Sequence, residues 1–307
     1  MTIMKNRTPI LAFAVMAIFS AGCGGTDPLP GIDATTDDVP EADSPDDQVV
    51  VPDREVPPDT EPRLCTIDLV FAVDNSFSMQ EEIGDFRLNV WPRFAAALQD
   101  LSGGTTGEPF RAAVIDGCPY PATFHVRGQS GPCNFAGGQA WMSSDSPALV
   151  TEFQCVGDIW DDDSTCTGNN DDEQPATAAA TSLASPWTDP GEANAGFLRS
   201  NALLIVIAIT DEDELPDPSA TADIVYQRLI RVKGDDPKKM VFLGIGGSRS
   251  CEGVYGSARE AVTLKTLTDL FIAQERGIFW DLCEGNLEDG LGEAMSVIGT
   301  ACDELVI

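Results

Sequence analysis

The chain has 307 residues, with 18 basic against 50 acidic side chains and a net charge of −32. Neutralising phosphate needs Lys and Arg, so this balance excludes a nucleic-acid partner, and it favours solubility and the attraction of cations. A hydrophobic content of 43% is ordinary for a globular protein, and the length suits one large domain with accessory segments.

The chain opens like an export signal. Lys5 and Arg7 form a short basic region, and Ile10 to Phe19 form an apolar core too brief for an ordinary membrane-spanning helix. The following Ser20-Ala21-Gly22-Cys23 resembles a bacterial lipobox, with Ser20 where Leu is usual. That resemblance implies lipidation at Cys23, and Gly24 in place of Asp implies sorting to the outer membrane or cell surface. The alternative is a conventional signal peptide cut near Ala21. Residues 1–23 are therefore read as signal peptide. Residues 24–63 carry 12 acids, 2 arginines and 8 prolines, too little apolar surface and too much self-repulsion to order a core. They are read as a disordered acidic Pro-rich linker, and 64–307 as the folded domain.

Within that domain, Asp68 to Val73 is an apolar run that reads as a buried parallel strand. Ile83, Phe86, Val90, Phe94 and Leu98 make one helical face over 81–98. Phe110 to Ile115 reads as a second strand, followed by a Gly-, Asp- and Cys-rich stretch, 117–175, in which short strands and disulfide staples are expected. Pro175 suits the first turn of an Ala-rich helix over 177–183. Ala202 to Ile209 is the most hydrophobic strand of the domain and ends in Thr210-Asp211-Glu212-Asp213-Glu214. A helix over 221–232, a strand over 240–245, a helix over 258–271, a strand over 277–282 and a helix over 286–305 complete the series. Such alternation predicts an α/β fold: a doubly wound, mostly parallel sheet with helices on both faces and a disulfide-containing insertion.

Eight cysteines after an export signal read as disulfides. The expected pairs are Cys118–Cys133, Cys155–Cys166, Cys65–Cys302 and Cys251–Cys283. With no C-x-x-C and His125 the only histidine, zinc is not expected. His125, between Phe124 and Val126, is read as a strand residue.

Two strands end in acids, Asp74 and Asp211. Asp74 opens Asp74-x-Ser76-x-Ser78, hard oxygen ligands suited to Mg²⁺, Ca²⁺ or Mn²⁺. In a doubly wound sheet these ends meet at the topological switch point. The competing reading is that Asp74, Ser76 and Ser78 cap the next helix. Asp213, Glu214 and the run Asp161-Asp162-Asp163 are expected to be solvated, and Trp160, Trp187 and Trp280 to pack in the core.

Here the chain resembles the von Willebrand factor type A domain over roughly 65–305. The matching residues are Asp74-x-Ser76-x-Ser78 after one apolar strand and Asp211 after another. The resemblance implies a Rossmann-like fold and a metal-ion-dependent adhesion site. There Ser76 and Ser78 would bind Mg²⁺ directly, and Asp74 and Asp211 would act largely through water. A partner's carboxylate would complete the shell. The family's remaining ligand is a Thr, for which this chain offers Asp172, counted back from Pro175, or Thr167. A third carboxylate would also accommodate Ca²⁺.

The resulting expectation is a surface-anchored adhesion lipoprotein, not an enzyme, recognising an acidic group on a protein or polysaccharide. A metal-dependent hydrolase or phosphatase using the same pocket is the alternative, and a structural domain with a vestigial site is the third. A dehalogenase-type phosphotransferase needs a second acid at position 76, which is Ser. A serine hydrolase lacks G-x-S-x-G.

Overall fold

The computed structural model describes residues 65–101, 109–159, 173–214 and 221–305. The expected signal peptide, Cys23, the linker, Trp160, Asp161–Asp163, Cys166, Thr167 and Asp172 lie outside the described residues.

In chain order the domain runs β1 (Ile67–Val73), α1 (Gln80–Asp85), α2 (Trp91–Leu101), β2 (Phe110–Asp116), β3 (Arg127–Gly128), β4 (Gly131–Pro132), β5 (Met142–Ser143), α3 (Leu149–Val156), α4 (Pro175–Ser182), β6 (Leu203–Ile209), α5 (Ala222–Val232), β7 (Met240–Gly246), β8 (Cys251–Gly253), β9 (Gly256–Ala258), α6 (Val262–Ile272), β10 (Gly277–Asp281) and α7 (Leu287–Glu304). The principal sheet has the order β10-β7-β6-β1-β2-β5. Its pairs are parallel except for the short antiparallel edge strand β5. The fold is thus mixed α/β, with a mostly parallel central sheet flanked by helices.

The central strands follow from their sequences. Every residue of β1 and β6 is buried, as expected of strands covered on both faces. Alternate residues feed two cores. Leu69, Phe71, Ile205 and Ile207 face one side with Phe86, Phe94 and Ile298. Val70, Ala72, Val206 and Ala208 face the other with the alanines of α4, Leu229 and Phe271.

The predicted helix over 81–98 is an almost continuous helical segment with one irregularity. Residues Phe86–Val90 form a wider turn in which the Trp91 N–H bonds the carbonyl of Phe86, five residues back. Pro92 has no N–H to offer Leu88, and a π-type turn accommodates that missing bond. The predicted apolar face is intact, all five of its side chains being buried.

Short strands were expected in the 117–175 stretch, and its described residues contain three, β3, β4 and β5, together with an unexpected helix, α3. Phe153 on α3 stacks on Trp91 at 3.8 Å and meets Phe71 edge-on at 5.0 Å, so an aromatic cluster anchors the insertion to the core. The β8–β9 hairpin was also not anticipated, and α6 starts at Val262 because Ala258 still belongs to β9. His125 lies outside any strand, its Nε2 2.9 Å from Asp116 Oδ2.

Among the described residues there are three disulfides: Cys65–Cys302, Cys133–Cys155 and Cys251–Cys283. The first joins the two ends of the domain over a separation of 237 residues, as expected, and the third also matches. Cys133–Cys155 corrects the expected Cys118–Cys133 and Cys155–Cys166. The reason is packing: a Cβ on Gly128 would lie 2.0 Å from the carbonyl of Cys155. The β3–β4 turn therefore sits directly on the end of α3. Cys118 is itself disulfide-bonded. Disulfides in this number fit an oxidising, extracytoplasmic setting. No helix among the described residues is long and apolar enough to cross a membrane.

Candidate metal centre

β1 lies between β2 and β6, with Val73 in register with Asp116 on one side and Ile209 on the other. The chain leaves β1 for β2 on one side and later enters β6 on the other. The carboxyl ends of β1 and β6 therefore flank the point where the winding reverses, the usual ligand position in an open α/β sheet. Asp74 follows β1 directly and Asp211 follows β6 by two residues. The structure brings these two sequence-predicted acids together.

Asp74 is completely buried. Its Oδ1 accepts the Ser76 N–H at 2.9 Å and its Oδ2 accepts the Thr210 hydroxyl at 2.7 Å. Its own N–H bonds the carbonyl of Ile209 at 2.9 Å, locking the two strand ends together. Ser76 Oγ and Ser78 Oγ are 2.9 Å apart, Ser76 half-buried and Ser78 exposed. Two hydroxyls thus reach solvent above two sunken carboxylates. Ser76, the residue preceding the next helical turn, makes no side-chain cap bond.

Asp211 is 3% exposed, and its Oδ1 has no hydrogen-bond partner. Burial pushes its carboxyl up to about 6, the neighbouring Asp74 adds to the rise, and the Ser78 hydroxyl pulls against it. Glu82 on α1 is a member of the site that the sequence reading missed. It is 2% exposed, one carboxylate oxygen is unpartnered, and burial first, then Asp211, raises it to about 8. Only its position, one helical turn after Ser78, signalled it.

The acids after Asp211 differ from expectation. Glu214 is buried rather than solvated, accepting the Ala176 N–H and, at 3.1 Å, the Thr177 hydroxyl; burial raises it to about 7. Asp213 is half-buried and accepts the N–H and hydroxyl of Thr263, at 2.8 and 3.0 Å, at the start of α6. Trp187 is half-buried and meets Tyr120 edge-on. Trp280 packs against the core with its indole N–H unpartnered.

The residues fit a hard divalent cation on an observation of this structure. A buried carboxylate oxygen on Asp211 is left without a donor while like charges crowd it, a costly arrangement that a cation would relieve. Among the described residues no three His, Cys, Asp or Glu side chains converge closely enough to hold a metal by themselves. Any ion here would rest on hydroxyls as well as carboxylates.

No protein-family model and no curated protein matches the chain. Similar solved structures include proximal thread matrix protein 1 from the mussel byssus, 11% identical, TM-score 0.39, covering 77% of this chain and 48% of that one. Another is the pilus adhesin SpaC from Lactobacillus rhamnosus GG, 12% identical, TM-score 0.41, covering 77% of this chain and 31% of that one. The chain spans less than half the length of either.

Proposed function

We propose that residues 64–307 form a von Willebrand factor type A-like domain whose sheet end binds a divalent cation and, through it, an acidic group on a protein or polysaccharide partner. The observation that carries this reading is the pairing of Asp74 and Asp211 at adjacent strand ends beneath two solvent-reaching serine hydroxyls, with one Asp211 oxygen buried and unsatisfied. Ser76, Ser78, Asp74 and Asp211 would hold the ion, with Asp172 or Thr167 as the remaining ligand. Bound Mg²⁺ would supply an open coordination position for a carboxylate. With oxygen ligands only, Ca²⁺ and Mn²⁺ are competitors. The protein is read as a docking module rather than an enzyme, exported and held at the outer membrane or cell surface through a lipid on Cys23. Calorimetric titration of the exported form with Mg²⁺, Mn²⁺ and Ca²⁺ tests the metal step. Saturable uptake by wild type and none by Asp74→Ala is the expected result. No uptake of any of the three ions removes the proposal, and Mg²⁺-dependent phosphatase turnover lost in Asp74→Ala would replace it with the hydrolase reading.

A further inference from the structure

Tyr120 is 64% exposed, more than any other aromatic side chain among the described residues. Its ring meets the half-buried Trp187 edge-on, with the centroids 5.8 Å apart. Trp187 in turn packs against the core that contains the alanines of α4, which anchors the pair while leaving ring surface in water. The two rings come from segments distant in sequence, and one side chain ties those segments together. Asn194 is completely buried. Its side chain accepts the Phe124 N–H at 3.0 Å and donates to the carbonyls of Ala122 at 2.8 Å and Ser182 at 2.9 Å. Its own N–H bonds the Trp187 carbonyl at 3.1 Å. Phe124 and Phe197 add an edge-on contact between the same segments at 4.8 Å. A buried amide satisfied on both oxygen and nitrogen is costly to rearrange. The pair is thus held in place without a ligand, and such pre-ordering lowers the cost of binding one.

The neighbouring groups select the ligand. Residues 117–124 and 183–198 contain no Lys or Arg, so these segments offer no cation to a phosphate, sulfate or carboxylate. Ser185, Asp189 and Glu192, on the Trp187 segment, are exposed, and Asp189 accepts the Ser185 hydroxyl at 2.9 Å. They are acceptors for a ligand's hydroxyl groups. Aromatic faces carry negative potential and attract weakly positive C–H groups. A pyranose with equatorial substituents presents both features, a C–H face and a rim of hydroxyls. We propose that Tyr120 and Trp187 form a stacking platform for a neutral, β-1,4-linked polysaccharide, separate from the cation site and independent of it. Pro-rich segments also dock on paired aromatics. The Pro-rich stretch of this chain carries 12 acids against 2 arginines, however, and would meet like charge at Asp189 and Glu192.

The test is an NMR titration of the exported form in EDTA, following the indole N–H of Trp187. Cellohexaose and hexa-N-acetylchitohexaose are the probes, with poly-L-proline as the rival ligand. Wild type is expected to show a saturable shift with at least one hexasaccharide, and the same shift when Mg²⁺ replaces EDTA. Tyr120→Ala should bind about tenfold more weakly, the scale of one aromatic contact. Tyr120→Phe, which keeps the ring, should bind as wild type does. Tyr120→Leu keeps apolar bulk without a π face; it should lose affinity as the alanine variant does, and it carries the test if that variant does not fold. No shift with either hexasaccharide, or equal affinity in Tyr120→Ala and Tyr120→Leu, overturns the platform. A stronger response to poly-L-proline than to both sugars overturns the choice of ligand. Either failure leaves the cation reading as it stands, because the titration contains no metal.

Discussion

The paired central strands β1 and β6 have buried acids at both of their ends, Asp68 at the amino end and Asp74 and Asp211 at the carboxyl end, and the two ends treat their charge differently. At the amino end Asp68 is fully buried, but Arg199 surrounds it: the backbone N–H donates at 2.7 Å and the guanidinium Nε at 2.8 Å. The same guanidinium reaches the Ile67 carbonyl, and Lys233 Nζ bonds the Arg199 carbonyl at 2.7 Å. Burial still raises the Asp68 carboxyl, with Arg199 pulling against it. At the carboxyl end Asp211 forms no ion pair with the described residues, and its neighbours Asp74 and Glu82 are acids. A buried charge neutralised by its own chain is a structural device. One left beside like charges costs stability, and perturbed groups of this kind cluster at functional sites.

Four experiments break or sharpen this contrast. The largest expected effect is at the compensated end. Arg199→Ala leaves Asp68 a buried charge without its guanidinium and should cost about 3–5 kcal/mol in denaturant unfolding. A loss below about 1 kcal/mol would mean the two ends are not different in kind. Removing a carboxylate from the other end should relieve repulsion rather than cost stability. In metal-free protein at pH 8, Asp211→Asn should raise the thermal midpoint by ~2–4 °C, the shift that about 1 kcal/mol produces at this size. A lower midpoint would show that Asp211 is compensated after all.

The pH dependence follows from the same cluster. The folded values of Asp211, Glu214 and Glu82 lie above their unfolded ones, so the native state binds more protons. Their contribution is fully present below the ordinary carboxylate range and is lost as pH rises through about 6, 7 and 8 in turn. Melting in chelator should therefore show a midpoint that falls from pH 5 to pH 8, with Glu82→Gln flattening the upper part. A flat or rising profile in wild type contradicts the cluster. The smallest effect belongs to the rim: Arg259 and Glu212 form an exposed pair at 3.1 Å, and Arg259→Ala should change stability by less than about 0.5 kcal/mol. A larger loss would show that the rim supports the site beneath it.

Much of the fold was legible because its signals are local. The runs that became β1, β2, β6 and β7 are too apolar to be anything but buried strands, and the helical face from Ile83 to Leu98 has a period that tertiary contacts did not alter. What escaped was non-local. Helix α3 holds eight residues in a stretch dominated by Gly and Asp, and it is secured by Phe153 stacking on Trp91 rather than by propensity. The Cys133–Cys155 pairing depends on a turn resting on a helix end, which no spacing reveals. Glu82 and Glu214 look like surface acids in sequence, since nothing in a helix turn or an acidic run shows which carboxylate the fold will cover.

The amino-acid order alone determined that the chain would build an α/β sheet and that Asp74, Ser76, Ser78 and Asp211 would stand at strand ends, because strand length and hydrophobic pattern fix where each run stops. Only the tertiary structure decided that β1 and β6 are neighbours, that Thr210 holds Asp74, and that Asp211 is left with an unpartnered oxygen. Strand order and burial arise from packing between distant segments. Whether a carboxylate is neutralised by its own chain or left beside like charges is therefore decided in three dimensions, at Asp68 one way and at Asp211 the other.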